Sequence, residues 1–172
     1  MPLIKNATFV EDSFAHVEDG DALPEGAIVV SLKRFQAERD TLMARNAPLG
    51  VRLTPDQSPE TLGADLHHFA VVALEFPKFK DGRGYSWARQ LRTRLGYQGE
   101  IRAVGDVLRD QWLFMSRVGI DAFEVRPGTR IEDFRAALAE QTVFYQPATD
   151  RIKSVLDIRH KRTPAYARAA AE

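Results

Sequence analysis

The chain has 172 residues, 44% of them hydrophobic and 28% charged, which is enough for one globular domain with a substantial core. Lys+Arg and Asp+Glu balance at 24 each, which argues against a general nucleic-acid or membrane-surface binder, although a local basic patch survives a neutral total. The absence of cysteine excludes a disulfide scaffold, a thiolate-held iron–sulfur cluster or siroheme, and self-contained dithiol chemistry. No apolar run approaches the ~18 residues of a membrane span. The opening MPLIKNATFVEDSF lacks the charged-then-apolar pattern of a signal peptide, so a cytoplasmic location is expected.

Residues 1–27 read as a lead-in. Leu3, Ile4, Phe9 and Val10 suit a short strand or hairpin, and HVEDGDALPEG is turn-rich and acidic. A single α/β domain follows over residues 28–146. Ile28 to Ser31 reads as a strand, with Ser31 placed to cap a helix running to about Arg45. Val51 to Leu53 is a short strand, and Ser58-Pro59-Glu60 is a helix start. Ala70 to Phe76 is nearly all apolar, as in a strand buried on both faces, and Pro77 stops it. The loop Lys78 to Ser86 is basic and Gly-rich and feeds a helix with Ala88, Leu91 and Leu95 on one face. Ile101 to Val104 is the next strand, followed by a helix carrying Leu108, Trp112 and Met115. Ala122 to Val125 is another strand, and Thr129 to Glu132 reads as a capping box for a last helix. Residues 147–172 form a polar, basic tail.

Strand–helix alternation with short loops predicts a mainly parallel sheet of about five strands with helices on both faces, a flavodoxin-like open sandwich. A partial (β/α) barrel is the alternative, because sequence does not set strand order. Either way, ligands bind at the carboxyl edge of the strands.

That edge carries Lys33, Arg34, Arg52, Thr54, Glu75, the loop Lys78 to Ser86, Asp106, Arg109, Arg126 and Arg130. Lys78, Lys80, Arg83, Gly84, Tyr85, Ser86, Arg109 and Arg126 are the candidate anion-binding residues. Glycines let the backbone approach a ligand, a helix N-terminus favours anions, and the arginine fork pairs with two oxygens at once. Solvated or mutually paired charges are the plain alternative. Glu75, an acid at the end of a buried strand, is either a catalytic candidate or the partner of Arg83 or Arg102. Asp106 is a second catalytic candidate or a helix cap. No G-x-G-x-x-G and no Walker loop is present, so no cofactor is evident. His67 and His68 are adjacent and cannot chelate together at helical spacing, while His16 and His160 lie in the flanks. No metal site is expected.

The strings PLGVRL, then VALEFPKFKDGRGYSWARQLRTRLGYQGEIRAVGDVLRDQWLFMSRVGIDAF, then FYQPATD resemble a bacterial family of unknown function. Its members carry the label of oxidoreductases of sulfite reduction. GRGYS and RAVGDVLRDQ are the most specific strings, and the resemblance covers most of Pro48 to Asp150. It implies a setting in assimilatory sulfate reduction beside a sulfite reductase, and relatives that often carry cysteine where this chain has Val118. It brings no established catalytic residue.

Three functions follow as expectations. The first is an accessory protein of sulfite reduction that binds a small oxyanion, or the edge of a reductase, at the loop Lys78 to Ser86. The second is a redox enzyme borrowing flavin or NADPH, with Tyr85, Trp87 and Trp112 flanking it. The third is an interaction module docking through its basic tail, Arg151 to Arg168.

Overall fold

The computed structural model describes residues 1–150 and 152–160. Half of the basic tail expected to dock a partner, Arg151 and residues 161–168, lies outside them.

Eight strands form one sheet. Three short strands open the chain: Leu3–Lys5 (β1), Thr8–Val10 (β2) and Ala15–Val17 (β3). Ile28–Ser31 (β4), Leu49–Leu53 (β5), Val71–Phe76 (β6), Glu100–Gly105 (β7) and Ala122–Glu124 (β8) follow. The order across the sheet is β2-β1-β8-β7-β6-β5-β4-β3. Neighbours from β3 to β8 pair parallel, whereas β1 pairs antiparallel with both β2 and β8.

This mixed, curled half-barrel corrects the expected five-strand, mainly parallel flavodoxin-like sandwich. The lead-in supplies the missing strands, adding β3 at one edge and the β1–β2 hairpin at the other. The helices also do not cover both faces. Strands β3 to β8 follow one another in sequence order with no reversal, so right-handed crossovers return the helices between these strands to the same side. A doubly wound sheet needs a reversal point, and this sheet has none.

The curl follows from chain length. Only Glu11 to Phe14 link β2 to β3, which lie at opposite edges of the sheet. A flat sheet of eight strands at ~4.8 Å spacing would part those edges by about 34 Å. The link, fully extended at ~3.5 Å per residue, reaches about 17 Å. The sheet therefore bends until the edges approach, and the link runs through the hollow.

Two cores result from the alternation of side chains along each strand. On the outer face Ile28, Val30, Val51, Leu53, Val72, Leu74, Phe76, Ile101 and Phe123 pack against the helices. These are Leu32–Ala37 (α1), Arg39–Met43 (α2), Arg83–Thr93 (α3), Trp112–Arg117 (α4) and Ile131–Ala139 (α5), with Val155–His160 (α6) after them in the chain. They contribute Phe35, Leu42, Ala88, Leu91, Met115 and Phe134. On the inner face Val29, Ala73 and Val104 form a small cluster capped by Phe14 of the link.

The local capping signals are realised in part. Ser31 Oγ accepts from Arg34 N at 3.0 Å, so the cap forms as expected, but the helix breaks at Glu38 into α1 and α2. The segment from Ser58 is capped as expected, yet Pro59–His68 is 3-10 and kinked at Gly63. The capping box at Thr129 does not form: Thr129 Oγ1 donates to Arg126 O at 2.8 Å, and α5 starts without a side-chain cap. Among the described residues no helix is long and apolar enough to cross a membrane.

Candidate functional site

Strands β6 and β7 run side by side to their carboxyl ends, where Phe76 is opposite Gly105. The loop to α3 leaves from Phe76, and its glycine has a steric purpose. A Cβ on Gly84 would lie 2.5 Å from the Phe76 ring, so the start of α3 presses directly on the end of β6.

The candidate residues are mostly paired. Asp81 Oδ1 accepts from Arg83 N at 3.2 Å and from Arg83 Nε at 3.0 Å, and its Oδ2 accepts from Arg83 Nη2 at 2.7 Å. These Arg83 hydrogen bonds hold the Asp81 carboxyl below its ordinary range. The chain's own carboxylate thus occupies the place beside the α3 N-terminus that an incoming anion would use. Asp106 pairs with Arg126 at 2.5 Å, and Arg109 pairs with Glu140 at 2.6 Å. Glu75 lies 3.9 Å from Arg52, and neither Arg83 nor Arg102 is its partner. Arg34 is a buried brace, donating to the carbonyls of Glu18 at 2.6 Å and Asp21 at 2.5 Å. Lys78 and Lys80 are exposed and form no ion pair among the described residues; Ser86 is exposed as well.

One candidate, Tyr85, lines a cavity of about 180 Å³ between α3, α4 and an irregular strap from Phe144 to Asp150. Arg89, Phe114, Arg117, Val118 and the residues Gln146 to Thr149 complete the wall. Tyr85 and Arg89 are four apart on α3 and so share a face. Arg117 anchors the strap. Its Nε donates to Asp150 Oδ2 at 2.8 Å, its Nη2 to Gln146 O at 3.0 Å, and its guanidinium stacks 3.6 Å from the Phe144 ring centre. Thr149 returns two bonds to Arg117 O, from N at 3.0 Å and Oγ1 at 2.7 Å. Arg89 is exposed and has no partner among the described residues.

Burial pushes the Tyr85 phenol up to about 12 from 10.0, aided by the charge of Asp110 and opposed by a hydrogen bond from Gln111. The phenol is therefore a neutral donor throughout the physiological range. Stability linked to it is complete below pH 10 and is lost as pH rises from 10 through about 12, because the unfolded chain gives up this proton first. Tyr85→Phe should flatten that alkaline loss, read as melting temperature against pH.

Arg89, Arg117 and Thr149 were not found from sequence. The signal for Arg89 was present in its i, i+4 relation to Tyr85. The signal for the strap was the string FYQPATD, whose last four residues, Pro147 to Asp150, read as tail because their partners are far away in the chain.

The model of the family described as "Bacterial protein of unknown function (DUF934)" matches residues 50–156, from β5 through the strap. No curated protein matches the chain. The family match takes in well over half of the 172 residues, and the chain belongs to this bacterial family of unknown function.

Proposed function

We propose that the protein binds a small oxyanion in the cavity between α3, α4 and the strap, as an accessory protein of sulfate or sulfite reduction. The observation that carries this reading is the Arg89 guanidinium, without a partner among the described residues, beside the neutral Tyr85 phenol, on a wall that also holds Arg117. A guanidinium fork and a phenol hydroxyl suit a two- or three-oxygen face. Size favours a small anion over a borrowed flavin or NADPH, since about 180 Å³ falls below the ~300–1,000 Å³ of pockets for larger ligands. The pathway comes from the family resemblance, in which Val118, on the same wall, is the position where relatives often carry cysteine.

A reductase edge is the second reading, favoured by exposed apolar side chains near the cavity. Phe114 is 47% exposed, Val143 62% and Tyr145 70%.

Sulfite, sulfate and phosphate should each be titrated into tag-free protein. At a hundred-fold excess over Kd, the binding anion should raise the melting temperature by about 5–10 °C. Arg89→Ala should cost at least about tenfold in affinity, the loss of a charge-assisted hydrogen bond. Silence with all three anions, or binding indifferent to both Arg89→Ala and Tyr85→Phe, refutes the site. A sulfate-limited growth test of Arg89→Ala then addresses the pathway.

A further inference from the structure

The inner face of the half-barrel is charged as well as apolar. Lys5 on β1, Glu100 and Arg102 on β7, Glu124 on β8 and His16 on β3 all point into the hollow, and the link adds Asp12. Arg102 is 1% exposed. Its Nε donates to Glu100 Oε1 at 2.8 Å and its Nη1 to Asp12 Oδ2 at 2.7 Å. Lys5 Nζ donates to Glu100 Oε2 at 2.7 Å. These two cations and two carboxylates neutralise one another.

Glu124 is left over. Its Oε1 is fully buried and accepts no hydrogen bond. The nearest groups are His16 Nε2 at 3.1 Å, outside hydrogen-bond geometry, and Arg102 Nη1 at 3.8 Å. His16 Nε2 is also 3.7 Å from Asp12 Oδ2, and the three donor atoms lie within 4.8 Å of one another. With neutral His16 the cluster is one positive charge short. A buried carboxylate oxygen with no donor is rarely left so, and this one faces an imidazole nitrogen across a gap.

We propose that Asp12, His16 and Glu124 bind a divalent transition-metal ion of the Zn²⁺ class in the hollow. Bonds of ~2.0–2.1 Å around a tetrahedral ion place neighbouring donors about 3.3–3.4 Å apart, close to the 3.1 and 3.7 Å observed here. One imidazole with two carboxylates suits Zn²⁺, Mn²⁺ or Fe²⁺ better than the all-oxygen cations. Arg102 serves as an outer-sphere partner, fixing the Asp12 carboxylate from one side. The donors come from β3, from β8 and from the link between opposite edges, so the ion clasps the two arms of the sheet. Sequence reasoning expected no metal site because His16 sits in a turn-rich lead-in, four residues from Asp12 and 108 from Glu124; only the curl unites them. A proton on His16 is the rival way to close the charge deficit.

Tag-free protein, stripped with chelator, should be titrated with Co²⁺ as a visible stand-in. One equivalent should bind with d–d absorption, be displaced by Zn²⁺, and raise the melting temperature. His16→Ala and Glu124→Gln should each lower the affinity at least about 100-fold, the upper end of losses seen for outer-sphere partners. Glu124→Gln alters a buried network and risks misfolding, so His16→Asn, at a partly exposed position, carries the test independently. Arg89→Ala should leave metal binding unchanged, which keeps this test separate from the oxyanion site. Absence of stoichiometric Co²⁺ binding, or binding that the His16 and Glu124 variants leave unchanged, overturns the proposal in favour of the proton.

Discussion

Arg102→Ala is expected to destabilise the protein by about 3–5 kcal/mol, the usual cost of removing one partner from a buried ion pair. Denaturant unfolding of the variant against the parent measures it. The guanidinium is among the largest fully buried side chains, held under the Phe14 ring at 5.7 Å and bonded to Glu100 and Asp12. Burial alone would lower its proton affinity, but the flanking carboxylates outweigh burial and raise it, so the group stays charged in the fold. Alanine leaves Asp12 without the guanidinium that binds it at 2.7 Å, leaves Glu100 with Lys5 alone among the described residues, and removes the cation that ties the link to β7. The same link carries Phe14, the cap of the inner cluster, so the loss spreads from electrostatics to packing. Arg102→Met with Glu100→Leu should recover part of the loss, since both members of one pair leave together. A loss under about 1 kcal/mol for Arg102→Ala, the level of an exposed pair, would show that the network does not hold the hollow together.

Gly105→Ala should cost about 2–4 kcal/mol, from strain in a left-handed backbone added to a steric clash. Gly105 has φ +99°, and a Cβ there would lie 2.6 Å from Phe76 O and 3.2 Å from Phe76 C. Phe76 O is the acceptor for Asp106 N at 2.7 Å, so relief requires parting the carboxyl ends of β6 and β7. Asp106 would then move away from Arg126. Gly20→Ala is the control: its φ is +92°, but nothing lies within 4 Å, so only backbone strain remains. Equal losses at the two positions, compared by thermal or denaturant unfolding, would remove the close approach from the explanation.

The hollow was the least legible part of the chain. Arg102 sits in IRAV, which reads simply as a strand, and its partner Asp12 is 90 residues away. Glu75 read as a pointed acid because its strand is apolar, yet it ends against Arg52 on the neighbouring strand. The loop Lys78 to Ser86 read as an open anion cradle. Counting charges did not reveal that Asp81 already folds back on Arg83. For the cavity the sequence pointed to the right helix, since Tyr85 lines it, but not to the strap that closes it.

What the sequence determined by itself was local. Continuous apolar runs mark β4 and β6, Pro77 ends β6, and the hydroxyl of Ser31 starts α1, because propensity, capping and side-chain periodicity act over a few neighbours. The tertiary structure alone decided that three-residue strands complete the sheet, that the helices share one face, and that Asp12, His16, Arg102 and Glu124 meet. The hairpin of Leu3, Ile4, Phe9 and Val10 forms as expected, but strands that short carry no period that shows where they join a sheet, and a four-residue link bends the sheet only once its two ends are paired at opposite edges.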